Sequence, residues 1–221
     1  MSRSGDMLVR AFTGGAFGQN GYLVSCLGSG TAILVDPGAA VGEMLDAARA
    51  SEVTIEAIVL THAHVDHVEG VARAKRETDA PIYLHPEAME QYLMVPLQGQ
   101  LYGVELDPPP SVDRPLSPGD WIRFGDCVLE VRYTPGHAPG HVILVGDGLA
   151  LVGDCIFAGS IGRTDLPNGD FALLMRSIRE QILTLPDETV LYSGHGRETT
   201  VGHERATNPF LVPHFGGSGF A

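Results

Sequence analysis

Thr61-His62-Ala63-His64-Val65-Asp66-His67 is the stretch whose reading decides the fold and the chemistry. Three of the chain's nine histidines fall within six positions, with a carboxylate among them. Neutral imidazole and carboxylate are donors that zinc, iron and manganese accept, and no Lys or Arg interrupts the run, so the cluster predicts a cation site. A solvated polar loop would account for one histidine with a chance neighbour, not for four donors in six residues. Upstream, residues 55–60 form a short apolar, β-branched run of strand length, and residues 68–78 downstream read as a helix. The donors therefore sit where a strand hands over to a helix, outside the carboxyl end of the strand, where α/β sheets place their ligands.

The rest of the chain supplies a core around that loop. Its 221 residues fit one large domain or two small ones, and 44% hydrophobic content is enough for a proper core. With 14 basic against 27 acidic residues and a formal net charge of −13, the balance argues against a nucleic-acid binder, which needs a clustered positive surface. Cys26, Cys127 and Cys155 are odd in number and far apart in sequence, which argues against a disulfide framework and for a reducing, cytoplasmic setting. Cys155 reads as a small buried hydrophobe beside a candidate ligand. Residues 1–6 carry no long apolar segment and no stretch reaches membrane-spanning length, so neither a secretory signal nor a membrane partner is expected.

In chain order, residues 8–12, 21–26 and 31–35 read as an antiparallel meander, stopped by the turn chemistry of Asp36-Pro37-Gly38. Residues 39–50 have helical composition, 81–85 read as a strand, and 86–94 as a helix begun by proline. Residues 95–118, with Pro108-Pro109-Pro110, Pro115 and Pro118, read as an ordered surface loop or lid. Strands follow at 121–124, 128–133, 141–145 and 149–152, then an amphipathic helix over 171–185, a strand at 190–192 and a helical turn or two over 201–208 before a glycine-rich tail. Two runs of strands, each followed by helices, predict an α+β fold with two sheets face to face and helices outside.

Three later stretches repeat the grammar of the first, a strand ending in a potential ligand beside glycine: Thr134-Pro135-Gly136-His137, Val152-Gly153-Asp154 and Ser193-Gly194-His195. Glycine lets backbone and cation approach without a Cβ clash. With the first loop they make seven candidate ligands, His62, His64, Asp66, His67, His137, Asp154 and His195, enough for two cations.

That ordered set resembles the ligand pattern of the metallo-β-lactamase-fold hydrolases over nearly the whole chain. Residues 134–141, Gly162-Arg163-Thr164-Asp165, Gly194-His195-Gly196 and Asn208-Pro209-Phe210 resemble the glyoxalase-II-like branch, the hydroxyacylglutathione hydrolases. The resemblance implies an αββα sandwich of two mixed sheets with a two-metal groove. It assigns His62, His64 and His137 to one metal, Asp66, His67 and His195 to the other, and Asp154 to both. Zinc is the metal it suggests first, with iron or manganese suited to the same donors. The implied reaction is hydrolysis of a small thioester by a water activated between the cations, with Asp66 orienting that water or taking its proton. Only 26 residues follow His195, so a single domain over 1–221, without the glutathione-holding helical domain of glyoxalase II, is expected. A persulfide dioxygenase, with one iron on the equivalents of His62, His137 and Asp154, is the alternative from another reaction class; a non-catalytic, metal-stabilised binding protein is the third.

Four residues stand behind the ligands in this reading. Asp36 serves either as a turn residue or as a partner of the metal loop, His141 as a packed or supporting side chain, and Arg163 with Asp165 as a pair bracing the loop after Asp154. His85, His203 and His214 have no neighbouring ligands and are expected to do nothing catalytic. Tyr83, Tyr92 and Tyr102 lie near the proposed lid and read first as packing residues.

Overall fold

A computed structural model describes residues 6–103 and 106–212. The first half runs β1 (Met7–Gly14), β2 (Gln19–Cys26), β3 (Thr31–Val35), α1 (Val41–Ala50), β4 (Thr54–Val59), α2 (Val65–Val68), α3 (Val71–Thr78), β5 (Ile82–Leu84), a 3-10 turn (Pro86–Ala88), α4 (Met89–Leu93), α5 (Val95–Leu101) and β6 (Arg114–Pro115). The second runs β7 (Trp121–Phe124), β8 (Cys127–Tyr133), β9 (Val142–Gly146), β10 (Leu149–Gly153), β11 (Ile156–Phe157), β12 (Ser160–Ile161), α6 (Phe171–Ser177), a π-helix (Ile178–Ile182), β13 (Val190–Ser193), β14 (Thr199–Thr200) and α7 (Val201–Thr207).

Twelve of these strands form two mixed six-stranded sheets, β1-β2-β3-β4-β5-β6 and β14-β13-β10-β9-β8-β7, β11 and β12 pair as a separate two-stranded sheet, and the fold is the expected α+β sandwich. The expected meander is β1 to β3, antiparallel throughout, with β4, β5 and β6 added in parallel.

Strand side chains alternate between faces. Along β2 and β3, Leu23, Ala32 and Leu34 face α1, α2 and α3, whereas Tyr22, Val24, Ile33 and Val35 enter the layer between the sheets. That inner layer meets Phe124, Leu129 and Val131 of the second sheet, whose opposite face buries Ile143 and Val152 under Leu174 and Ile178. Strands buried on both faces read as continuous apolar runs rather than polar-apolar alternation.

Several boundaries differ from the sequence reading. The helix expected over 68–78 is two, because the chain breaks at Glu69-Gly70, where Gly70 N–H donates to Pro37 O at 3.0 Å and a Cβ would stand 2.3 Å from Gly38 O. The 86–94 helix starts as a 3-10 turn, and the 171–185 helix widens into the π-helix and ends at Ile182. Residues 95–118 are more regular than a loop: they contain α5 and β6. The segment is fastened by Tyr92 Oη donating to Pro110 O (2.9 Å) and by Ile82 N–H donating to the Asp113 carboxylate (2.9 Å). Cys26 and Cys127, far apart in sequence, come into thiol contact across the two sheets. Cys155 is fully buried among apolar side chains, as expected. No helix among the described residues is long and apolar enough to cross a membrane. His214 and the glycine-rich tail lie outside the described residues.

Candidate metal centre

The seven candidate ligands converge at one edge of the sandwich, delivered by the loops that follow strands and by the short helix α2. β4 runs into His62 and His64, α2 presents Asp66 and His67, the loop after β8 carries His137, β10 ends before Asp154, and β13 ends before His195. Two triads result, His62-His64-His137 and Asp66-His67-His195, and within each the ligand atoms all lie within 4.8 Å of one another. His62 Nε2 and His137 Nε2 stand 3.0 and 2.9 Å from His64 Nδ1. Asp154 reaches both triads: Oδ2 is 3.5 Å from His137 Nε2 and 3.4 Å from His195 Nε2, and Oδ1 is 3.3 Å from His67 Nε2.

Hydrogen bonds on the far side of four rings decide which nitrogen faces inward. The Asp36 carboxylate accepts from Thr61 N–H (2.7 Å) and Thr61 Oγ1 (2.6 Å), and its Oδ2 holds His67 Nδ1 at 2.9 Å. Thr61 Oγ1, its own proton given to Asp36, accepts from His62 Nδ1 at 3.0 Å. His137 Nδ1 donates to Arg163 O (2.8 Å) and His195 Nδ1 to Phe17 O (3.2 Å). With Nδ1 committed as donor, Nε2 of each ring is the nitrogen turned toward the centre, the orientation metal-ligating histidines require.

A cation pair fits these residues. His67 Nε2 and Asp154 Oδ1 are buried without a hydrogen-bond partner, their 3.3 Å contact being out of line for one. Two donors on a common tetrahedral cation with bonds of about 2.1 Å stand about 3.4 Å apart, close to the spacings of Asp154 from His67, His137 and His195. Gly194 completes the cradle, since a Cβ there would lie 2.1 Å from Asp154 Oδ1 and 2.7 Å from His67 Cε1.

The two triads differ electrostatically. Burial, reinforced by neighbouring imidazoles, drives His62 well below the ordinary histidine range and His64 to about 3, and burial also lowers His137. Burial pulls His67 down too, but the charges of Asp154, Asp66 and Asp36 prevail and hold it well above that range. His195 rises to about 10, its contacts with the Asp154 and Asp66 carboxylates outweighing burial. Burial opposes the ionised form of Asp154 and Asp66, yet the His67 charge wins and keeps both below the usual carboxylate value.

The supporting residues resolve as follows. Asp36 is both things considered: a turn residue at φ 47° and the carboxylate behind His67 and Thr61. His141, fully buried, bonds Thr134 Oγ1 through Nδ1 (2.8 Å) and accepts from Asp154 N–H through Nε2 (3.1 Å), so it supports Asp154 from behind. Arg163 and Asp165 form a bidentate pair at 2.9 Å on the surface, while the Arg163 carbonyl orients His137. His85 caps Glu87 N–H and stacks on Tyr133, away from the site, and His203 is exposed.

A cleft of about 230 Å³ opens over the centre between Phe17, Gln98, Tyr102, Phe157, Arg163 and Leu166. Phe17 and Tyr102 meet edge to face at 5.0 Å, so Tyr102, read as packing, also forms a cleft wall. Gln98 Nε2 donates to Gln91 O (2.9 Å) and to Ala63 O (3.5 Å). Phe17, Gln98, Phe157 and Leu166 escape the sequence reading because no local pattern marks a residue as facing a cleft built from separate loops. Thr61 stands in the quoted loop, but the sequence reading gives it no role.

Residues 14–195 match the family described as the metallo-beta-lactamase superfamily. Hydroxyacylglutathione hydrolase GloC of Haemophilus influenzae is 32% identical over 190 residues, 81% of this chain and 87% of that protein. The crystal structure of TTHA1623 in a di-iron-bound form is 39% identical, covering 92% of this chain and all of that one, with a TM-score of 0.83. That of the BLEG-1 B3 metallo-beta-lactamase is 33% identical, covering 93% of this chain and all of that one, with a TM-score of 0.86. By this match over most of its length, and by the sandwich that carries the two triads, the chain belongs to the metallo-beta-lactamase superfamily.

Proposed function

We propose that the protein is a two-cation hydrolase of small thioesters, hydroxyacylglutathione-like in chemistry, using zinc or else iron or manganese in a cytoplasmic setting. The observation that carries this reading is the Asp154 carboxylate, one oxygen against His137 and His195 and the other against His67, so that it belongs to both triads at once. When bound, the cations would lower the pKa of a water between them and polarise the substrate carbonyl.

The chain's own groups supply the rest. Asp66 Oδ2, 3.3 Å from His195 Nε2 and lining the cleft, is kept ionised and is placed to align the attacking water and accept its proton. Phe17, Tyr102, Phe157 and Leu166 give the cleft apolar walls that hold the acyl group and exclude bulk water. A thiolate departs without a strong acid, which suits a cleft lined, besides the ligands, by Gln98, Arg163, Tyr102 and apolar side chains. The likeness to a hydroxyacylglutathione hydrolase supports this substrate class. A single-iron dioxygenase would use His62, His137 and Asp154 and leave His67 Nε2 buried with nothing to bind.

Metal analysis of the purified protein, with S-lactoylglutathione, glutathione persulfide and a β-lactam assayed side by side, tests the proposal. Expected are about two metal equivalents and thioester hydrolysis, with one equivalent and the activity lost in His67→Ala. Oxygen uptake on the persulfide with a single iron, or β-lactam cleavage without thioester hydrolysis, would overturn it.

A further inference from the structure

We infer that Asn20, on the first sheet, is the positioning residue that keeps the second cation site assembled by gripping the loop that carries His195. The inference rests on the two-cation reading above. Asn20 is buried at the start of β2, on a strand that contributes no ligand. Its backbone N–H donates to Gly194 O at 2.8 Å, and its side-chain Nδ2 donates to Ser193 O at 3.0 Å and to Gly196 O at 2.8 Å. One residue thus holds the carbonyls on both sides of His195, and Gln19 beside it forms an isolated bridge with His195 itself.

The orientation of the Asn20 amide is set from behind. Thr13 Oγ1 donates to Asn20 Oδ1 at 2.6 Å, so the two amide protons face the loop. Tyr22 Oη adds a further bond to Ser193 O at 2.5 Å. From the second half of the chain the loop is held by Gly194 N–H to Gly153 O (2.8 Å) and Ser193 Oγ to Ile156 O (2.7 Å). Half-exposed His195 stands at the cleft, and its Nδ1 partner, Phe17 O, belongs to the same β1–β2 hairpin. Among the described residues, the hydrogen bonds of the Asn20 side chain go to Thr13, Ser193 and Gly196 and to no member of the first triad. Its loss should therefore separate the two sites.

The experiment titrates the full-length, metal-stripped protein with Zn²⁺ against a chromophoric chelator, and with Co²⁺ followed by its visible absorption. Asn20→Asp keeps the shape but turns a carboxylate toward two carbonyls. The second-site affinity should fall ~10–100-fold, the range for partners that orient a metal ligand, with the first site unchanged. Thr13→Val, which frees the amide to turn over, should weaken the same site less, and Thr13→Ser should restore it; these two variants serve if Asn20→Asp does not fold. Equal weakening of both sites, or a lowered melting temperature with both affinities intact, would overturn the inference. A wild type that takes only one cation would sink the two-cation reading and the inference with it. A wild type and an Asn20→Asp variant that take two cations equally well would sink the inference alone.

Discussion

His67 Nδ1 lies 2.9 Å from Asp36 Oδ2, both side chains are buried, and Asp36 holds a left-handed backbone (φ 47°) at the end of β3. Aspartate tolerates that conformation better than most residues, so one position serves as turn and as acceptor. Asp36→Ala removes the partner that commits the His67 proton to Nδ1 and strands Thr61 N–H. The second cation should bind ~10–100-fold more weakly, and the protein should lose about 1–3 kcal/mol for the unsatisfied buried donor. Chelator competition and urea denaturation read the two effects separately.

Filling the second site should expel protons, whereas filling the first should not. Ligating imidazole must be neutral. His62, His64 and His137 already are near neutral pH, while His67 and His195, the latter near 10, carry protons in the metal-free protein. Second-site affinity should therefore rise with pH from about 6 to about 9 with release of about two protons. Calorimetry in buffers of different ionisation heat counts them.

The same shifts give the metal-free protein the opposite trend. A histidine whose folded value is raised contributes stability that is complete below its unfolded value, about 6.5, and is lost as pH climbs through the folded value, near 10 for His195. The melting temperature of the metal-free protein should fall between those limits. In zinc-loaded protein that fall should be absent.

Gly194→Ala places a methyl 2.1 Å from Asp154 Oδ1. The carboxylate must swing away, so the variant should fold but lose at least ~10-fold in second-site affinity and lose hydrolysis in step. Metal content of the purified variant is the direct measurement.

Tyr102 closes the cleft against Phe17, not against the ligands. Removing an edge-to-face pair costs about 0.5–1.5 kcal/mol. Tyr102→Ala should raise KM for a thioester roughly 2–10-fold with kcat little changed. A fall in kcat with KM unchanged would place Tyr102 in the chemistry instead.

Much of this was legible beforehand. His62 to His67 crowd one loop, and the glycine-flanked strand ends at His137, Asp154 and His195 show their character locally, because ligand type and turn chemistry are properties of a few adjacent residues. The double-sheet sandwich follows from short apolar runs. Helix boundaries were less legible: the break at Glu69-Gly70 answers to Pro37 and Gly38, which lie on another turn, and α5 hides in a proline-rich stretch whose helical part is only seven residues.

The residues that orient the ligands carry no signal of their own. Asp36 looks like any turn aspartate, Asn20 like a polar interruption of a strand, and Arg163 matters to His137 through a carbonyl every residue has. Their roles exist only once distant segments meet. Sequence alone determined which atoms could bind a cation and that strands would bring them to an edge. The tertiary structure decided which nitrogen of each ring faces inward, which triad carries protons, and what shape stands over the site. Those depend on hydrogen bonds and charges between segments far apart in the chain.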